Sequence, residues 1–207
     1  MIDCTVIIPY DKDRGYLSEA IESVEKQTKK VNLILSQGFQ NKQKNINNAL
    51  KKVKTKFVKL LDEDDILLPD GLELLVNNID DYQWCYANAI YFKPGKKGFL
   101  YKPSITDISV NTLRMRNTIC NATVLYNMDI FNKVGLFDED DYISSMDDLD
   151  YHIRCLLNGI FPKYINETVA KYRIHHNQIS KINKKERKLN RGKIFKKNIK
   201  LLNNGIN

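Results

Sequence analysis

Phe57-Val-Lys-Leu-Leu-Asp62-Glu-Asp-Asp65-Ile-Leu-Leu-Pro69 carries an apolar strand straight into four consecutive acids and then into a second apolar run. Four adjacent carboxylates repel one another, and a divalent cation with oxygen ligands would relieve that repulsion. The same four residues also fit a solvated turn that caps the next helix. A turn at the end of a buried strand matters for the fold because ligands of open α/β sheets bind at the carboxyl edge of the strands.

Upstream, Thr5–Ile8 reads as a short apolar strand closed by Pro9. Leu17, Ala20, Ile21 and Val24 recur at helical spacing, so residues 16–27 are an amphipathic helix. Val31–Leu35 is a second strand, and Ile46, Ala49, Leu50 and Val53 mark a second helix before the strand at Phe57. Strand, helix, strand, helix, strand within 61 residues predicts a mostly parallel central sheet flanked by helices. Right-handed crossovers then gather the strands' carboxyl ends, and the acidic turn, on one edge.

Downstream, Leu72, Leu75, Val76 and Ile79 mark a third helix, and Gln83–Phe92 is strand-like. Residues 93–104 form a Lys/Gly/Pro loop or hairpin, and Thr123–Tyr126 reads as a strand. Asp129–Val134 is a short helix stopped by Gly135. Ser144, Ser145, Asp147, Asp148 and Asp150 resemble a helix N-terminus, where acids suit the dipole. Val169–Ile174 is a late strand leading into His175 and His176.

The chain has 207 residues, enough for one domain with a sizeable core. From Lys181 onward ten Lys or Arg face a single Glu, so the tail carries +9 and residues 1–180 carry −1. A neutral body argues against a whole-domain nucleic-acid binder. No apolar run is long enough to span a bilayer, and the start has no signal-peptide pattern. Cys4, Cys85, Cys120 and Cys155 contain no CxxC pair, which argues against zinc. The expected organisation is a domain over 1–180 and a basic tail or helix over 181–207. The expected location is the cytoplasm, with peripheral attachment at the inner face of a membrane as the alternative.

An ordered set of segments is similar to the family 2 glycosyltransferases, which have the GT-A fold. These are Ile7-Ile8-Pro9, Leu17-Ser-Glu-Ala-Ile-Glu-Ser-Val24 with Gln27-Thr28, Asn47 with Ala49, and Leu61-Asp-Glu-Asp-Asp65 with Pro69. Val134-Gly-Leu-Phe-Asp-Glu139, Asp147-Asp148-Leu-Asp150 with Arg154, and Tyr172-Arg-Ile-His175 with Ser180 complete it. The resemblance covers about residues 4–180. It implies a GT-A-like single domain that transfers a sugar from a nucleotide-diphosphate sugar to an acceptor hydroxyl, inverting the anomeric carbon. It implies Mn²⁺ or Mg²⁺ held by Asp64, with His175 as a further ligand or diphosphate contact. Asp148 falls at the place of the catalytic base. Pro9, Tyr10, Asp11, Gln37, Lys44, Asp62, Glu63 and Asp64 fall where such enzymes hold the donor. Residues 105–146 would shape the acceptor side, with Asn121 and Thr123 as contacts.

The segment Ser36-Gln37-Gly38-Phe39 departs from the family's acidic pattern after the second strand. Gln37 has a donor and an acceptor for a base edge, but the departure leaves GDP and dTDP open beside the favoured UDP. A non-catalytic relative that binds nucleotide-sugar or glycan is the alternative. A nucleotidyltransferase is disfavoured because the loop after Pro9 has one glycine. Asp147 and Asp150 would raise the pKa of Asp148 and the helix dipole would lower it, so both directions stay open. Arg154 fits a structural ion pair as well as a phosphate contact, Trp84 fits the core, and His152 and His176 fit structural or exposed positions. The tail reads as a solvated terminus by default. A helix on anionic lipid or a linker to further domains are the other readings, and the acceptor is a glycan or a lipid-linked species.

Overall fold

The computed structural model describes residues 3–143, 145–176, 178 and 184–204. Strand β1 (Cys4–Pro9), buried at every position, lies between β2 (Asn32–Ser36) and β3 (Phe57–Leu60), and both neighbours run parallel to it. Helices α1 (Leu17–Glu25) and α2 (Lys42–Leu50) make the crossovers. The chain continues through β4 (Ile66–Leu67), α3 (Gly71–Asn78), β5 (Trp84–Phe92), β6 (Phe99–Tyr101) and α4 (Val110–Met115). Then come β7 (Leu125–Asn127), α5 (Asp129–Val134), α6 (Asp147–Leu157), β8 (Lys163–Arg173) and α7 (Lys184–Asn204).

The strands form one sheet in the order β2-β1-β3-β7-β5-β8-β4, with β6 folded back on β5. The longer ladders, β1 with β2, β1 with β3 and β5 with β8, are parallel. The short pairings of β7, β6 and β4 are antiparallel. Strand β4 has only two residues, yet it pairs Ile66 with Lys171 and Leu67 with Ala170. That pairing carries the chain from the acidic turn directly onto β8. The apolar run after the acids, too short to read as a strand from its sequence, is what fixes the turn in place.

Side chains on the two faces of the sheet build two cores. One, under α1 and α3, holds Val6, Ile8, Leu72 and Leu75. The other, under α2, α5 and α6, centres on Trp84, Tyr126 and Tyr151. Trp84 lies in the core as its sequence context implied, its indole N–H donating to the Ile160 carbonyl at 3.2 Å. His152 stacks on it with centroids 4.4 Å apart and bonds the Tyr126 hydroxyl at 2.9 Å. His176 is exposed. Arg154 bonds Asp150 at 2.9 Å and the Val134 carbonyl at 3.2 Å, a structural bracket between helices.

Over residues 184–204 the solvated-tail expectation is replaced by a 21-residue helix. Ile194 and Phe195 enter the second core, Asn198 donates to Asp150 at 2.9 Å, and Lys197 pairs with Asp138. The inner side of α7 carries Ile194, Phe195 and Asn198 together with Arg187 and Arg191, and burying the apolar and amide groups outweighs the entropy a loose terminus would keep. Residues 181–183 and 205–207 of the tail, with Ser144 and Ser180, lie outside the described residues.

Two consequences are measurable. A Cβ on Gly71 would sit 2.3 Å from the Val169 carbonyl oxygen, because α3 starts hard against β8. Gly71→Ala should therefore destabilise the protein by about 1–3 kcal/mol, seen as a lowered Tm. Burial lowers the His152 pKa from 6.5 to about 3, so the folded state keeps this ring neutral while the unfolded chain takes up a proton. Its contribution is intact above about pH 6.5 and is lost on acidification towards pH 3, at up to about 1.4 kcal/mol per pH unit. Denaturant unfolding across pH should show that slope, flattened in His152→Gln.

Candidate active site

A cavity of about 700 Å³ opens at the carboxyl ends of β1 and β3. Its walls come from Pro9, Tyr10 and Asp11 at the end of β1, from Asp62, Glu63 and Asp64 after β3, and from Asn41, Lys42 and Asn45 at the start of α2. Asn121, Asp147, Asp148 and His175 also line it, with Arg14, Arg187 and Arg191 among others. Residues spread over the whole chain thus meet where the strand order placed the acidic turn.

The four acids of that turn have four different partners. Asp62 pairs with Lys42 at 2.7 Å, and Glu63 pairs with Arg14. Asp64 Oδ2 lies 2.8 Å from His175 Nε2. Asp65 is buried, and its Oδ1 accepts the Arg173 backbone N–H at 3.0 Å. The Arg173 guanidinium donates to the Asp64 carbonyl at 2.8 Å and pairs with Glu19. The repulsion read from the sequence is therefore largely offset by the protein's own cations and donors. Asp65 is a structural bracket. Burial, with Asp64 and Asp62 nearby, pushes its pKa well above the usual carboxylate range.

Asp64 and His175 meet at the cavity wall. Among the described residues no three His, Cys, Asp or Glu side chains cluster as a ready metal site. One carboxylate and one imidazole would serve an ion that takes its remaining ligands from substrate phosphate and water. The donor set is thus a fit for Mn²⁺ or Mg²⁺ in the presence of a diphosphate.

At the start of α6, Asp147 and Asp148 face the same cavity. Lys42 reaches Asp147 at 3.3 Å as well as Asp62, so one ammonium spans the acidic turn and the α6 start. Burial opposes the charge on Lys42, yet Asp147 and Asp62 hold its pKa well above 10.5. Burial and the neighbouring Asp147 raise Asp148 from 3.8 to about 6, against the α6 backbone and Lys42. That decides a competition which the sequence left open: desolvation and like charge exceed the helix-end effect.

Several expected residues stand elsewhere. Lys44 is exposed on α2 and is absent from the cavity lining; one residue pair earlier, Lys42 occupies that wall. The helix phase decides this, because residues two apart point to different sides. Gln37 is exposed, and its amide donates to the Asp11 carbonyl at 3.0 Å, shaping the β1 end from outside the cavity. Thr123 is buried, with its hydroxyl bonded to the Cys120 carbonyl and the Ala87 N–H. Asn121 does line the cavity. Asn47 bonds the Phe137 backbone on both sides, at 2.8 and 3.0 Å, and Glu139 at 2.8 Å. The Asn47 and Val134–Glu139 segments are thus one clamp.

Sequence reasoning missed Arg14, Lys42, Arg187 and Arg191. For the last two, spacing held a signal: Arg187, Arg191, Ile194 and Asn198 share one helical stripe. Leu189 and Ile199 of the same helix are exposed.

The sequence model of "Glycosyl transferase family 2" matches residues 2–146. An uncharacterized glycosyltransferase of Methanocaldococcus jannaschii is 27% identical, over 87% of this chain and 74% of its own length. The structure of S. aureus TarS 1-349 in complex with UDP-GlcNAc superposes with a TM-score of 0.68 at 17% identity, covering 88% of this chain and 61% of that one. The Pyrobaculum calidifontis mannosyltransferase in complex with GDP-Man and Mn²⁺ gives a TM-score of 0.65 at 14% identity, covering 95% and 64%. The chain spans less than two thirds of either solved protein, and at these identities the likeness is one of fold. With the family's sequence model covering well over half of its length, the chain belongs to glycosyl transferase family 2 and is built on a GT-A-like fold.

Proposed function

We propose that the chain transfers a sugar from a nucleotide-diphosphate sugar to an acceptor hydroxyl, with inversion at the anomeric carbon. The observation that carries this reading is the meeting, in one cavity of about 700 Å³, of the Asp64–His175 pair with Asp148. A chamber of that size suits a nucleotide-sized ligand. Solved relatives of the same fold hold UDP-GlcNAc in one case and GDP-Man with Mn²⁺ in the other.

In this mechanism Asp148 is the base. The acceptor oxygen bonds to the anomeric carbon, the bond from that carbon to the phosphate oxygen breaks, and the acceptor proton passes to Asp148. A pKa near 6 suits the task, because the carboxylate is mostly ionised at neutral pH and more basic than an exposed aspartate. Asp64 and His175 would hold Mn²⁺ or Mg²⁺, which when bound supplies positive charge to the departing diphosphate. Tyr10 and Asp11 line the donor side with the acidic turn, and Arg14 fixes Asp11 and Glu63 there. With Gln37 outside the cavity, the preference for UDP loses its side-chain argument, and GDP and dTDP sugars stand level with it. A glycan or lipid-linked acceptor fits the same reading.

Release of nucleoside diphosphate from UDP-, GDP- and dTDP-sugars, with and without Mn²⁺, tests the class. Metal-dependent release from one donor is expected; no binding of any donor would refute the reading. Asp148→Asn should lower kcat by roughly 10²–10⁴-fold while donor binding persists. In the parent enzyme, kcat/KM should fall about tenfold per pH unit below about pH 6, as the base becomes protonated. Asp64→Ala should abolish metal-dependent transfer, and near-normal activity in that variant would remove Asp64 from the role.

A further inference from the structure

Strands β5 and β6 form a hairpin that turns at Lys93-Pro94-Gly95-Lys96. The Lys96 N–H donates to the Lys93 carbonyl at 3.0 Å, with proline in the second place and Gly95 at a φ of 72° in the third. That is the pattern of a type II turn, so the tip has a defined shape. The arm is braced as well. Tyr101 stacks on Tyr91 with centroids 4.5 Å apart, and its hydroxyl donates to the Thr118 carbonyl at 2.8 Å. Among the described residues β6 pairs with β5 alone. Yet this edge strand carries Phe99 and Leu100, two consecutive large apolar residues that are 58% and 53% exposed.

The charge around them has one sign. No acid stands between Asp81 and Asp107, whereas Lys93, Lys96, Lys97 and Lys102 do, and all four are exposed. Lysines on an edge strand guard it against pairing with another sheet, but an exposed Phe-Leu pair works against that guard. Apolar side chains beside a basic cluster instead match an anionic bilayer, where the first enter the headgroup boundary and the second meet lipid phosphates. A nucleic acid would take the lysines and stack on Phe99, but it offers Leu100 no apolar surroundings. The end of α4 repeats the combination: Met115, 74% exposed, stands between exposed Arg114 and Arg116. The Tyr101–Thr118 bond ties that segment to the hairpin. The outer side of α7 suits a bilayer less well. Its exposed apolar residues, Leu189 and Ile199, lie about 15 Å apart along the helix.

We propose that the β5–β6 hairpin docks on an anionic lipid surface, with Phe99 and Leu100 entering the interface and Lys93, Lys96 and Lys97 meeting the lipid phosphates. Tyr91 of the same hairpin lines the cavity, as do Asn117 and Ile119 just beyond Met115. Docking by this hairpin therefore brings the cavity beside the bilayer. Such docking is independent of the transfer chemistry proposed above, because lipid binding needs neither donor nor metal.

The test is co-sedimentation of the whole chain with phosphatidylcholine vesicles, with and without phosphatidylglycerol, at low and at raised salt. Binding to the anionic vesicles alone, weakened by salt, is expected. Lys93→Gln/Lys96→Gln/Lys97→Gln should weaken it roughly a hundredfold, and Phe99→Ser/Leu100→Ser roughly tenfold. All five side chains are exposed, so both variants should keep the parent's Tm. Phe99 also touches the Tyr91 ring, so the lysine variant keeps the test decisive if the other proves unstable. Lys188→Gln/Lys196→Gln/Lys200→Gln, on the exposed side of α7, should bind nearly as the parent does. Four results would overturn the proposal: no binding to anionic vesicles, undiminished binding by either hairpin variant, loss confined to the α7 variant, or binding of single-stranded oligothymidylate that the vesicles fail to displace.

Discussion

The site depends on a clamp between two segments more than a hundred residues apart. Asp65 accepts the Arg173 backbone N–H, Arg173 donates to the Asp64 carbonyl, and Asp64 meets His175. Two ladder pairs between β4 and β8 set the register of these contacts. If that register slipped by one residue, every side chain of the segment would turn to the other face. His175 would then leave the cavity and Asp65 would lose its partner. A buried carboxylate without its hydrogen bond is costly, so the clamp is also a strong constraint on the fold.

Electrostatics within the cavity follow from the same economy. Acid and base groups come from different elements and meet only in the folded state: Lys42 from α2, Arg14 from the loop after β1, His175 after β8. Lys42 couples the acidic turn to the start of α6, because one ammonium answers both Asp62 and Asp147. Burial beside Asp147 makes Asp148 more basic than an exposed aspartate, against the pull of Lys42, which suits the role of base proposed for it. The GT-A-like frame thus supplies position, and local desolvation sets the basicity of Asp148.

Much of this was legible in the residues. Helical spacing at Leu17, Ala20 and Val24, and the strands at Thr5–Ile8 and Phe57–Leu61, were sufficient for the parallel part of the sheet. The acidic turn then had to lie at the strands' carboxyl edge. Helix α5 could be read to its last residue because Gly135 takes a positive φ of 86°. What could not be read was tertiary. Strand β4 is too short to have a period, and its existence depends on β8. Lys44 and Lys42 look alike in sequence, and only the phase of α2 decides which one faces the cavity. The inner stripe of α7 mixes arginine, isoleucine and asparagine, so no simple hydrophobic pattern marked it. The sign of the Asp148 shift required burial, which spacing does not reveal.

The long reach of the clamp has a consequence for synthesis. Arg173 follows Asp64 by 109 residues, which at ordinary translation rates is a delay of about 5–20 s. During that interval the acidic turn has left the ribosome without β8, His175 or α7. Asp62 to Asp65 then face one another with only α2 and the Arg14 loop for company, and β4 has no strand to pair with. The nascent chain can complete the β1–β3 half of the sheet early, but the chamber closes only when β8 and α7 arrive. Assembly of the chemistry is therefore a late event in the life of each molecule, separated in time from the folding of the half that carries the first carboxylates.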